Sequence, residues 1–417
     1  MPPPCAAPQL PPLPRALALA RRARERLEPF LADPRNVAWT LLSLAVVAAL
    51  QEYLLGPKPM GDGVYTHFNN YRIYERSFRH LAAGLDLYVR YPAEHWDLFK
   101  YSPTFAALMA PFSALPDVAG LVLWNLLNAA VFVLALATLP ILSPRDKALL
   151  GLLLVPDFLT AVQNTQANVL VAGLVLLAFC LLEKGRPEWA ALAIACGFYV
   201  KLYPAIGALA FVLYPRRLRF LGWLGAWLLA LGAVPLAFVP PDRLRALYES
   251  WFRVLLADRE AFAGLSVMGI LHGWFGLDPP KTLVVLAGGA VLLLPALNVA
   301  AWGRPAFRLL FVASLLVWMV IFNHAAESAT FFIAMCGVGL WWFVRPRGRK
   351  EGALLASAVL LTSMSPRLPA LVVEHVIQPY ALKALPCLAV WIAIVVELAS
   401  SRGDERAVLA KRAVRPA

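Results

Sequence analysis

Long apolar runs recur along the whole chain, and they set the reading of everything between them. Residues 37–55, 118–142, 218–239, 282–302 and 381–396 each approach the roughly 20 residues that a helix needs to cross a hydrocarbon core. A water-soluble fold has no use for such runs repeated from end to end. The pattern predicts an all-α, polytopic integral membrane protein, a bundle of about ten to twelve membrane helices.

Two stretches break the simple alternation of span and loop. Segment 102–116 is apolar but short and contains Pro103, Pro111 and Pro116, so it reads as a re-entrant or interfacial hairpin. Segment 188–214 begins and ends at basic clusters and is interrupted near Lys201–Pro204, which predicts two shorter helices meeting inside the membrane. Irregular backbone at that depth is tolerated only beside protein or a wet cavity. Between the first two apolar runs, residues 56–101 are polar. Within them, Phe68, Tyr71, Tyr74, Phe78 and Leu81 share one arc at roughly 100° per residue, with Arg72, Arg76 and Arg79 in a stripe beside it. This predicts an amphipathic helix over about 66–83, lying in the outer interface with its aromatics in lipid or protein.

Charge gives the expected orientation. Arginines crowd 15–35, and further Lys/Arg clusters fall at 145–147, 184–186, 216–219, 304–308, 345–350 and 402–415. Loops rich in Lys and Arg stay cytoplasmic. Both termini are therefore expected in the cytoplasm: a Pro/Arg-rich tail at 1–36, one polytopic domain at 37–400 and a basic tail at 401–417. The loops at 56–101, about 157–168, 240–280, 323–327 and 367–379 then face outward, and the expected location is the plasma or inner membrane. No cleavable signal is expected before the first span, which is expected to act as an anchor. The net charge of +13, in a chain 60% hydrophobic and 15% charged, is thus a topology signal. Without a basic stripe interleaved with aromatics on a soluble domain, no nucleic-acid partner is expected. Five cysteines form no CxxC and six histidines no HExxH, so neither a disulfide framework nor a metal site is expected.

Polar residues in so apolar a chain are the candidates for chemistry. The first loop gathers Asn70, Arg72, Arg76, His95 and five acids, Asp62, Glu75, Asp86, Glu94 and Asp97, among Tyr and Trp. Rings against a pyranose face, with acids on its hydroxyls, suit sugar binding; a solvated loop is the plainer explanation of any single residue. Asn164, Gln166 and Asn168 sit at the outer end of a helical hairpin, as caps or as donors to substrate hydroxyls. Lys201 is an ionisable residue inside the membrane, by default a functional one, and its ammonium matches a phosphate unless it merely snorkels. His324 and Glu327, in the polar run 323–328, either cap the next helix or line the same outer cavity.

These segments carry a resemblance. Gly84-Leu-Asp86-Leu-Tyr88, Lys100-Tyr101-Ser102-Pro103-Thr104-Phe105, Pro111, Leu115-Pro116, Asn164-Thr-Gln166-Ala-Asn168, Lys201-Leu-Tyr203-Pro204 and Asn323-His324-Ala-Ala-Glu327-Ser328 occur in the order of glycosyltransferase family 87, and the chain resembles it over about residues 60–345. The resemblance implies a GT-C fold and transfer of a hexose, typically mannose, from a polyprenyl-phosphate carrier to a lipid, glycan or other acceptor hydroxyl at the outer face. Membrane lipid, the lipid-linked donor and a glycan or glycolipid acceptor would be the partners, with no cofactor and no obligatory metal. Counted back from Gly84, Asn70 stands where the family usually carries its proposed catalytic aspartate. An amide cannot act as a general base, so another loop carboxylate is expected in that role, Asp86 or Asp97. Lys201 and the Arg72/Arg76/Arg79 stripe are the expected partners of the carrier phosphate, and Tyr203 belongs to the same segment. A transporter, flippase or binding protein for lipid-linked sugars is the alternative; it should show repeated halves, and none is evident.

Overall fold

In the computed structural model, residues 28–30, 33–61, 63–261 and 263–400 are described; most of the two tails and Asp62 lie outside the described residues. The chain is an α-helical membrane protein. Among the described residues, three helices are long and apolar enough to span a membrane, Pro34–Leu54 (α1), Asp117–Thr138 (α5) and Arg217–Ala237, with seven shorter apolar helices around them. The shortening has a cause in sequence: Pro204, Pro235 and Pro295 each fall where regular helix gives way to 3₁₀ turns. A proline removes a backbone donor and clashes with the preceding turn.

α1 packs on α5, and α5 on Asn168–Glu183 (α8), which in turn meets Pro187–Val200 (α9). The α6 and α7 segments, Pro144–Leu153 and Val155–Gln163, join α5 to α8. α9 also packs on α10, Arg217–Ala233, and the most apolar pair is α14 (Pro305–Ile321) with α15 (Phe331–Val344). Nearly every residue of α14 is buried, so it is the central post of the bundle. α16 (Arg349–Ser357) and α17 (Ala384–Ser400) close the C-terminal side.

The first loop is more structured than its composition suggests. It opens with a two-stranded antiparallel hairpin, Pro57–Met60 (β1) with Gly63–Thr66 (β2), that the sequence reading did not anticipate. The amphipathic helix, α2, then runs Asn69–Ala82. Its aromatic arc packs into protein: Tyr74 is fully buried, edge-on to Tyr101, Phe105 and Trp124. The arginine stripe closes on a single carboxylate, since Glu75 lies 3.2 Å from Arg72, 2.9 Å from Arg76 and 3.3 Å from Arg79. Gly84 ends the helix at φ +67°, with the Leu85 N–H bonded to the His80 carbonyl at 2.9 Å, a reversal that glycine makes without Cβ strain.

Segment 102–116 forms two short helices, α3 (Pro103–Leu108) and α4 (Ala110–Ser113). Ser102 caps α3 by accepting the Phe105 N–H and donates its own hydroxyl to the Tyr199 carbonyl at 2.6 Å, pinning the loop to the end of α9. Most of residues 240–280 is likewise helical, in α11 (Pro241–Ala261) and α12 (Val267–Phe275), before α13 (Lys281–Leu293) begins. Leu244, Leu247 and Trp251 form the buried stripe that holds α11 against the bundle.

Candidate functional site

Where α9 gives out, the chain makes a single extended step at Lys201, with φ −148° and ψ 140°, before 3₁₀ turns begin at Tyr203. That step turns Lys201 and Tyr203 toward the hairpin between α7 and α8. Both donate to the Asn168 Oδ1, Lys201 Nζ at 2.8 Å and the Tyr203 hydroxyl at 3.2 Å. Asn168 passes the chain on through its amide to Gln166 Oε1 at 2.6 Å, and Gln166 Nε2 donates to Glu327 Oε2 at 2.9 Å. Glu327 itself begins the helical turn at Ser328–Thr330, its N–H on the Thr330 hydroxyl at 3.2 Å. Three polar segments distant in sequence thus share one network.

The hairpin is strained into place. Thr165 has φ +52°, and it is held by the Tyr71 N–H on its hydroxyl at 3.1 Å and the Trp124 indole on its carbonyl at 2.9 Å. Asn70 donates to the Asn164 carbonyl at 2.9 Å. α2 therefore fixes the hairpin from one side while α5 fixes it from the other.

The network borders a cavity of about 650 Å³. Its polar lining includes Asn70, Asp97, Gln166, Lys201, His324 and Glu327, and its apolar lining Phe252, Leu255, Val285, Trp318 and Phe322. At the mouth, Lys100 Nζ lies 3.4 Å from Asp97 and 3.0 Å from Asp258. Burial alone would weaken the Lys100 ammonium, but the two carboxylates beside it prevail, and its pKa stands above that of an ordinary lysine.

The remaining expected residues fall elsewhere. Arg72 and Arg76 do not line the cavity; besides Glu75, Arg72 reaches Asp117 at the start of α5 at 2.9 Å and Arg76 reaches Glu94 at 3.7 Å, so their charge is spent on these carboxylates. Asp86 does not line it either. Its carboxylate accepts the Tyr88 N–H at 3.0 Å, an Asx turn, and its carbonyl accepts the Tyr91 hydroxyl at 2.6 Å. His95 is buried behind the loop, near the Tyr91 ring that stacks on His80, and burial lowers its pKa. Asn164 and Asn168 stand behind the wall, positioning the residues that form it. The sequence reading missed Asp258. Trp251, Leu255 and Asp258 recur at helical spacing and all face the cavity, so the period of α11 was the signal that a loop reading of 240–280 overlooked.

The arrangement gathers a buried lysine, carboxylates and a set of apolar side chains around one cavity, which suits an amphiphile with a polar, anionic head. The family model for glycosyltransferase family 87 matches residues 99–326. That range spans the Lys100–Phe105 segment, the 164–168 hairpin, Lys201–Pro204 and all but the last residues of the 323–328 run. No curated protein matches the chain. With more than half of its length in the match and the matched polar segments converging on one cavity, the chain belongs to glycosyltransferase family 87.

Proposed function

We propose that this glycosyltransferase moves a hexose, mannose by the resemblance, from a polyprenyl-phosphate carrier to an acceptor hydroxyl of a lipid or glycan at the outer face of the plasma or inner membrane. The observation that carries the reading is the composition of one cavity, which Lys201, Asp97 and Asp258 line together with Phe252, Leu255, Val285, Trp318 and Phe322. An isoprenoid chain fits the apolar lining through the hydrophobic effect, and an ammonium matches a phosphodiester.

The chemistry assigns the roles. An acceptor oxygen attacks the anomeric carbon, the new C–O bond forms, and the bond from that carbon to the phosphate oxygen breaks. The acceptor proton passes to a carboxylate, for which Asp97 is the candidate at the mouth. The bonding electrons leave with the polyprenyl phosphate, whose charge Lys201 stabilises. Lys100 pairs with Asp97 at 3.4 Å, and Asp258 shares that lysine at 3.0 Å, so Asp258 positions the pair. Asp86 serves the turn that brings 97–101 to the cavity.

Purified protein in detergent, offered a panel of polyprenyl-phosphate hexoses with a glycolipid acceptor, should consume one donor and release polyprenyl phosphate. Binding without consumption of any donor rejects the enzymatic reading in favour of transport or binding.

A further inference from the structure

We propose that a second pocket, at the opposite end of the bundle from the candidate site, binds one anionic glycerophospholipid by its phosphate. Three elements join the two ends. α9 runs from Pro187 to the step at Lys201, the 3₁₀ segment from Tyr203 to Leu213, and α14 from Pro305 to the residues before His324. The far pocket has a volume of about 420 Å³, and Glu183, Tyr214, Arg217, Trp302 and Arg308 line it.

Most of the charge in this pocket is accounted for internally. Arg308 grips Glu183 with two bonds, at 2.6 Å and 2.8 Å, and gives a third to the Trp302 carbonyl at 2.8 Å. The Tyr214 hydroxyl completes Glu183 at 2.5 Å. Arg217 differs. Its guanidinium lies 4.6 Å from the Trp302 ring centre and its Nε donates to the Tyr214 carbonyl at 3.3 Å, but among the described residues it forms no ion pair. Exposed Lys184, Arg186 and Arg216 flank it, also without ion pairs among the described residues. The pocket is thus a rigid frame with one uncompensated guanidinium directed by an indole ring.

A lipid fits better than a free anion because the flanks are apolar and open. Leu218, next to Arg217, is 85% exposed, and Leu297 and Val299, just before Trp302, are 79% and 61% exposed. A headgroup phosphate on Arg217 would leave its acyl chains beside these side chains. Basic pockets between membrane helices recognise anionic headgroups in this way.

Native mass spectrometry of the detergent-purified chain tests the assignment, with phosphatidylglycerol and phosphatidylcholine as probes. One phosphatidylglycerol should survive on the wild type where phosphatidylcholine does not. Arg217→Gln should weaken that retention about fivefold or more, the loss expected for one basic contact. Arg217→Lys should lose less, because the charge remains. Leu218→Asn, at an exposed position, should weaken lipid retention without altering charge. Equal retention of both lipids, or wild-type retention in Arg217→Gln, overturns the proposal. So does displacement of the lipid by millimolar inorganic phosphate, which would identify the occupant as a phosphate ion.

Discussion

Gln166 and Glu327 are 161 residues apart in the chain and share a 2.9 Å hydrogen bond from the Gln166 amide to the Glu327 carboxylate. The bond matters because each residue also anchors another polar segment. Gln166 holds Asn168, and through it Lys201, while Glu327 begins the turn that enters α15. One wall of the cavity is therefore a continuous chain of hydrogen bonds, in which a change at one member reaches the next.

Lys201→Met should leave the fold intact, because Tyr203 still donates to Asn168 at 3.2 Å. It should weaken the binding of a polyprenyl-phosphate donor by about 1.5–3 kcal/mol, the worth of a hydrogen bond to a charged group. Donor affinity measured by titration in detergent checks this. Unchanged affinity and turnover would mean that the lysine serves only Asn168.

Asp97→Asn keeps the shape of the mouth and removes the charge. Turnover should fall by about 10²–10⁴, the typical worth of a general base, while donor binding survives. Asp86→Asn should be nearly silent, because asparagine makes the same turn to the Tyr88 N–H. Comparing kcat of the two variants separates the carboxylates, and loss of activity in Asp86→Asn with normal turnover in Asp97→Asn would reverse the assignment.

Glu75 is 2% exposed and faces three arginines. Glu75→Gln should leave Arg79 without its carboxylate, and Arg72 and Arg76 with only Asp117 and Glu94, and destabilise the protein by about 1–3 kcal/mol, read as a lower melting temperature in detergent. A melting temperature equal to wild type would mean that the half-exposed arginines simply turn to solvent.

Burial lowers the pKa of His95 below its ordinary 6.5, and the ring is 3% exposed. The unfolded chain then takes up a proton at a higher pH than the folded chain. Stability is full above pH 6.5 and falls as the pH drops below it toward the folded pKa. Melting temperatures between pH 7 and pH 5 should fall more steeply for wild type than for His95→Gln. Parallel slopes would show that other groups dominate the acid sensitivity.

Much of the site was legible in the sequence because it rests on residues that are out of place in an apolar chain. Lys201 beside Pro204, the 164–168 amides and the 323–328 run stand out for that reason, and they meet in one network. The arginine stripe was equally legible as a stripe, but its periodicity says nothing of what it faces. Glu75 meets Arg72 and Arg79 at i,i+3 and i,i+4 on the same helix, a local pairing; only the packing adds Asp117, at the start of α5, to Arg72 at 2.9 Å. Asp97 and Asp86 looked alike by composition, and the fold separates them, one lining the cavity and the other closing a turn.

Hydrophobic runs, proline breaks and helix period are local properties, so the sequence alone determined an α-helical membrane bundle, the broken helix at Lys201–Pro204 and the amphipathic helix after the first span. Partner choice is not local. That Asp117 reaches Arg72, that Asp258 shares Lys100 with Asp97, and that the 420 Å³ pocket lies at the far end were decided only by the tertiary structure. The physical reason is that electrostatic and hydrogen-bond energies depend on distances of a few ångströms, and the chain sets those distances only when separate helices pack.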